Sequence, residues 1–308
     1  MSLPAPAPRQ TRSQRTPWYQ KDAAVGYLFI LPSIIGLLTF VLYPLCASAY
    51  YALTDWNGVT PPIFVGFKNF RYLLTQSPAF WPSLRATGLY VLMVVPGSLI
   101  LGLALLLNRN VPGIRLFRTI FYLPAVLPIV ATLTLWKFIY NPDYGLANQV
   151  LHFFGLPGAA WLSSPNLALP ALVVIGLWGV GSTMIIFLAA LQGVPKELYE
   201  AARIDGASPW RMLLGITLPV ISPILFLQFI MQIIAALQQF NAPQVLTQGG
   251  PGFATNLLMY QIYKTGFVDQ QQGLASAEVW VLFVLIVLVT LLTFRFSSMW
   301  VYAENEIG

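Results

Sequence analysis

The placement of charge along this chain leaves few folds open. Asp, Glu, Lys and Arg are absent from 23–54, 86–108, 119–136, 153–195, 212–263 and 279–294. About 20 apolar residues of helix cross a bilayer core roughly 30 Å thick. The first five stretches hold such a span. The last, between Glu278 and Arg295, is short, and helix tilt or arginine snorkelling absorbs the difference. Only 8% of the residues are charged, against about 25% in soluble domains. The expected fold is an all-α, polytopic bundle of about six spans, near 25–52, 86–107, 117–139, 168–191, 217–240 and 276–299.

The net charge of +6 reads as a membrane-topology signal rather than a nucleic-acid footprint. Arg9, Arg12, Arg15 and Lys21 precede the first span; Arg109, Arg115 and Arg118 follow the second; Lys196, Arg203 and Arg211 follow the fourth. The connection 140–167 has no Lys or Arg, and 241–275 has only Lys264. Lys and Arg enrichment marks cytoplasmic loops, so both termini and the fourth connection are expected inside. The apolar run after Lys21 is far longer than a signal-peptide core. One cysteine, Cys46, and one histidine exclude a disulfide framework and the usual zinc sites. Residues 1–22, rich in Pro, Arg, Ser and Thr, read as a flexible cytoplasmic tail. The remainder divides into 23–85 (first span and external segment), 86–300 (core, with a cytoplasmic loop at 193–215) and a tail at 301–308.

Prolines fall inside several spans: Pro32, Pro44, Pro96, Pro124, Pro128, Pro219 and Pro223. Each removes a backbone hydrogen bond and invites a kink, which suits a conduit that changes shape, although proline is also commoner in membrane helices generally. Between the fourth and fifth oily runs lies PKELYEAARIDGASPWRMLLGITLP. Pro195 can open a helix, Lys196–Ile204 propagate it, and Gly206 can take the left-handed position that stops it. Ser208 and Pro209 restart a second short helix as N-cap and first residue. Glu200 and Arg203 are spaced to pair with each other.

The pattern Glu200-Ala201-Ala202, Gly206, Ile216 and Leu218-Pro219 resembles the EAA loop of ATP-binding-cassette importer permeases, with every position filled. YLFILPSIIGLLTFVLYPL, LTDWNG, FVGFKNF, YNPDYGLAN and VLTQGGPGFATN resemble the larger sugar-importer permeases of the maltose and glycerol-phosphate type. The resemblance covers most of 25–300 and implies a type I importer permease. By it, Glu200, Ala201, Ala202, Asp205 and Gly206 dock on a nucleotide-binding subunit, with Glu200 meeting an arginine there. The Gly249-Gly250-Pro251 element implies the first of two non-identical permeases, and contact with an external substrate-binding protein. ATP and magnesium then belong to two partner ATPase subunits. The chain itself carries no cofactor, no metal and no catalytic residue, lacking a phosphate-binding loop, a nucleophile elbow and HExxH.

Gln228, Gln232 and Gln239 share a face of the fifth span, and Trp178, Gly179 and Ser182 lie within one turn of the fourth. Amides in hydrocarbon face protein or a water-filled cavity, so these glutamines are either interhelical glue or substrate ligands. The resemblance places a sugar cavity between the helices flanking the loop and implies substrate roles for Trp178, Gly179, Ser182, Gln232, Gln239 and Gln228. Glu278 reads as interfacial, at the outer end of the sixth span. The reading that follows is a permease subunit of an ATP-driven, binding-protein-dependent sugar importer, di- or oligosaccharide by preference, in a bacterial or archaeal cell membrane. An ion-coupled carrier is the alternative, weakened by the scarcity of intramembrane ionisable groups, and a scaffold is a third.

Overall fold

A computed structural model describes residues 22–107 and 114–297. The expected tails 1–22 and 301–308 lie outside these residues, apart from Asp22, which starts a helix, and so does Arg109. The chain forms two units, one ending at Tyr50 and the other beginning at Tyr51. The first holds α1 (Asp22–Leu37), a π-helical segment Leu38–Leu42, and most of α2 (Tyr43–Ala52). Gly26–Ala52 is long and apolar enough to cross a membrane. Its side chains up to Cys46 are mostly exposed, with Phe29 and Phe40 about four-fifths accessible, and Ala52 is buried.

The second unit contains α3 (Lys68–Thr75), α4 (Phe80–Leu107), α5 (Ile114–Val126), α6 (Ile129–Ile139), α7 (Leu146–Phe153), α8 (Ala168–Trp178), α9 (Gly181–Gln192), α10 (Lys196–Ile204), α11 (Pro209–Met212), α12 (Leu218–Leu237), α13 (Leu258–Tyr263) and α14 (Gln272–Arg295). A two-residue antiparallel pair, β1 (Thr54–Asp55) with β2 (Ile63–Phe64), closes the turn after α2. Asn57 Oδ1 shapes that turn by accepting from the Val59 and Thr60 N–H groups at 3.0 and 2.9 Å.

Proline sets where the apolar runs distort. The π segments Leu38–Leu42 and Leu213–Thr217 each end just before a proline, Pro44 and Pro219. A proline ring clashes with the carbonyl four residues earlier, here of Phe40 and Gly215, and the widened turn makes room for it. Pro128 has a stronger effect. It adopts extended backbone, with ψ 131°, and ends α5 before α6 begins. The expected third span, 117–139, is therefore two short helices. The expected fourth span is the pair α8 and α9, bent by 44° at Gly179-Val180. Among the described residues, four helices span by length and composition, or five when the bent pair is counted. Two expected boundaries also move: α4 starts at Phe80 rather than 86, and α14 at Gln272 rather than 276.

The core is centred on α4, which packs against α8, α9 and α12. Tyr90, Val94 and Val95 meet Leu172, Ile233 and Leu237 in the buried cluster. Small residues let these helices approach, the usual route to packing where lipid supplies no hydrophobic drive. A Cβ on Gly176 would lie 2.9 Å from the Tyr90 hydroxyl, and one on Gly181 2.5 Å from the carbonyl oxygen of Phe121 in α5. Leu92 and Ile100, on the same α4, are about 70% exposed. One face is for helices and one for lipid.

Candidate coupling and translocation sites

The loop between α9 and α12 is an exposed device with a fixed internal geometry. Pro195 sits at the N-cap rather than inside the helix, so α10 begins at Lys196. Its end is a Schellman motif: Ala207 N–H donates to Ala202 C=O at 2.9 Å, and Gly206 N–H to Arg203 C=O at 3.1 Å. Gly206 takes the left-handed conformation this needs, φ +73°. Ser208 caps α11 by accepting from Arg211 N–H, with Pro209 following. The second short helix does not stand alone, because α11, the π segment and α12 run on as a single helical stretch, Pro209–Leu237. The Tyr199 and Thr217 hydroxyls share a 2.8 Å hydrogen bond that ties α10 to this stretch.

Glu200, Ala201, Asp205 and Gly206 are exposed and Ala202 is half-buried. The expected Glu200–Arg203 pairing is not formed, and neither residue has an ion pair among the described residues. Ile204 and Trp210 project into solvent at 87% and 73% exposure. Two free charges beside two exposed apolar side chains form a surface suited to another protein chain.

The candidate substrate residues split. Gln232 Nε2 donates to Thr183 Oγ1 at 2.6 Å, joining α12 to α9, whereas Gln239 lies just past the end of α12 rather than on its face, and its Nε2 donates to the Tyr90 hydroxyl of α4 at 3.3 Å. Both are half-buried, whereas Gln228 is buried. Gly179 and Ser182 are exposed at the bend between α8 and α9. Trp178 packs edge-on against Trp136 of α6, with ring centroids 5.5 Å apart. Trp136 escaped the sequence reading, and its buried Nε1–H has no partner among the described residues.

At the opposite end of the bundle from the coupling loop, two connections are built structures. Asn148 organises 140–161: its Nδ2 donates to the Pro142 and Ala159 carbonyls at 2.9 and 3.1 Å, while its Oδ1 accepts from Ala159 N–H at 3.0 Å and Trp161 Nε1–H at 2.8 Å. Asn148→Ala removes all four bonds and strands buried partners, so the loop should lose about 3 kcal/mol of stability. Limited proteolysis within 140–161 checks this; wild-type resistance in the variant would show that the loop is held by other contacts.

The second connection is the Gly-Gly-Pro loop, whose Gly250–Pro251 peptide is cis. Gly249 is buried against Asn256 and Tyr260, Gly250 and Pro251 are half-buried, and the exposed tip is Gly252-Phe253. Surface available to a docking protein therefore lies at the tip rather than at Gly249. With Trp81, Arg85 and Asn166, the tip lines a cavity of about 720 Å³ between α4 and α8. Behind it runs a buried polar chain. Asn256 Nδ2 donates to Ser83 Oγ (2.6 Å) and Gln261 Oε1 (2.8 Å), and Gln261 Nε2 donates to Thr265 Oγ1 (2.9 Å), with Glu278 beside Thr265 and Gln261. Glu278 is 1% exposed, with Oε2 unpartnered. The interfacial reading of Glu278 is thus corrected: α13 packs over the start of α14 and covers it.

The sequence of 94–302 matches the model of the "binding-protein-dependent transport system inner membrane component" family. The chain belongs to that family. This permease is 37% identical over 308 residues to YesP of Bacillus subtilis (strain 168), described as a probable ABC transporter permease, with 98% of each chain covered. The permease is also 35% identical over 278 residues to the trehalose/maltose transport system permease MalF of Thermococcus litoralis, covering 88% of this chain and 92% of MalF. A chain in the crystal structure of a bacterial alginate ABC transporter, in complex with an alginate pentasaccharide-bound periplasmic protein, superposes with a TM-score of 0.75 at 26% identity. That match covers 89% of the permease and 93% of the other chain.

Proposed function

We propose that this chain is the first of two non-identical permeases in an ATP-driven sugar importer of a bacterial or archaeal cell membrane. It forms half of the translocation pathway, receives an oligosaccharide from an external binding protein, and couples through an EAA loop to two ATPase subunits that hold ATP and magnesium. The observation that carries the reading is the exposed loop 195–212, with Glu200 and Ile204 free and α11 continuous with α12. Movement imposed on α10 and α11 by a nucleotide-driven partner tilts α12 directly, and α12 carries Gln232 and leads into Gln239. A ligand or nucleotide biases only states to which it binds differently, and the Gln232–Thr183 and Gln239–Tyr90 bonds are contacts that one state can make and another release to sugar hydroxyls. Sidedness follows from the Lys and Arg distribution: the coupling loop faces the cytoplasm, and the Asn148 and Gly-Gly-Pro loops face outwards.

Glu278 favours the ion-coupled alternative, since such carriers use buried carboxylates. Its burial beneath α13, beside the Gln261–Thr265 hydrogen bond, suits a structural role better. Uptake into reconstituted vesicles that enclose ATP separates the two. Transport that requires ATP and binding protein and persists without an ion gradient supports the importer; transport that follows an ion gradient without ATP overturns it. Within the importer reading, Gln232→Ala or Gln239→Ala should shift the sugar concentration for half-maximal uptake by about tenfold, with subunit assembly intact on size-exclusion chromatography. Unchanged uptake and sugar preference in both would remove these glutamines from the pathway.

A further inference from the structure

At the outward-facing end, away from the Gly-Gly-Pro loop, a cavity of about 560 Å³ opens between the segment following α2, helix α3 and the start of α14. Small-molecule sites occupy roughly 300–1,000 Å³. Its walls are clamped by backbone bonds. Asn69 Nδ2 donates to the Ala52 and Thr54 carbonyls at 3.0 and 2.8 Å, and Gly273 N–H donates to Trp56 C=O at 3.0 Å. A Cβ on Gly273 would strike the Thr54 carbonyl, so only glycine lets these walls meet so closely. On the other side Gln271 N–H donates to Thr265 C=O and Gln272 Nε2 to Gly266 C=O, both at 2.9 Å.

Three glutamines on this rigid frame are left unused. Gln76, Gln270 and Gln271 have exposed amides with no hydrogen-bond partner among the described residues. Each offers a donor and an acceptor side by side, which matches a pair of neighbouring sugar hydroxyls. Trp56 is held by stacking on Tyr51, 4.1 Å between centroids, and with Tyr72 it supplies aromatic surface for the C–H face of a ring. Lys68 and Arg71 also line the cavity, without ion pairs among the described residues, against the single carboxylate of Asp55. An arginine fork matches a carboxylate or sulfonate.

We propose that this cavity is an auxiliary carbohydrate subsite on the outer face, selective for an oligosaccharide bearing acidic groups. It rests on the importer reading for its sidedness and class of ligand, and it is separate from the pathway residues on α9 and α12. There it would hold one end of a chain while the other enters from the binding protein.

The test is isothermal titration of the purified transporter complex in nanodiscs, without binding protein or nucleotide, using an oligouronide and, in parallel, a neutral malto-oligosaccharide of equal length. Saturable binding of the oligouronide is expected, weakened about tenfold by Gln271→Ala or Arg71→Ala, with the neutral sugar binding several-fold more weakly. Circular dichroism of both variants establishes that they fold. Absence of saturable binding by the oligouronide overturns the subsite. So does binding that neither variant weakens, or equal binding of the neutral sugar. If the variants bind sugar normally but capture the binding protein poorly, the cavity is a protein contact and the proposal also fails. Failure of the importer reading shows separately, as the absence of ATP-dependent sugar uptake by the wild-type complex in vesicles.

Discussion

Glu200→Lys should abolish ATP-driven uptake while leaving the permease inserted in the membrane. Glu200 is exposed on α10 and makes no ion pair among the described residues, so its replacement disturbs nothing there that holds α10 in place. The Schellman end at Gly206 and the Tyr199–Thr217 bond both remain. What changes is the surface that the proposed ATPase partner would meet. Reversing a charge that meets a partner's cation removes an attraction and adds a repulsion, and truncation alone at such pairs costs about 2–5 kcal/mol. That corresponds to roughly a thirtyfold loss of affinity at the low end. The measurements are co-purification of the ATPase and sugar uptake, with Glu200→Gln expected to fall between the variant and wild type. Full uptake by Glu200→Lys would remove the residue from the coupling surface.

Gly181→Ala should cause a large loss of folded protein. A Cβ there would stand 2.5 Å from the Phe121 carbonyl oxygen and 2.6 Å from the Tyr122 Cα. These are backbone atoms of α5, so no side chain can swing aside. Overpacking of this kind costs about 3 kcal/mol, and the strain falls on the contact that braces α5 against α9. We expect a sharply reduced yield of monodisperse protein and a lowered melting temperature by tryptophan fluorescence. Gly179→Ala, two residues away, meets only the Gly176 carbonyl oxygen at 3.4 Å and should be tolerated for folding. Equal stability of the two variants would contradict the close α5–α9 packing.

The spans were legible because charge and apolarity over some twenty residues are properties of composition. Where a helix breaks depends on finer matters. Pro124, Pro128, Pro219 and Pro223 carry the same local signal, yet only Pro128 stops a helix outright. Pro124 and Pro223 stay inside α5 and α12, and the effect of Pro219 is absorbed by a π turn. The caps of the coupling loop were readable from Gly206, Ser208 and Pro209, since each acts on its immediate neighbours. The fusion of α11 with α12 was not, because it required the π turn to carry the helix past Pro219. Glu278 was misjudged for a related reason. Sequence places it near a helix end, but only the packing of α13 over α14 decides that it is covered. Trp136 and the Asn148 hub were invisible for want of any local pattern, as their partners lie in other helices or far along the loop.

The hydrogen bond from Asn256 to Ser83 joins positions 173 residues apart, and the Leu258 N–H to Thr87 bond joins the same two regions again. Hybrids between this protein and a relative therefore inherit a matching problem at any junction placed between α4 and α13. Unless the residues at 83, 87, 256 and 261 come from one parent, a hybrid carries two half-networks that do not recognise each other. Junctions placed before Phe80 keep the pair together.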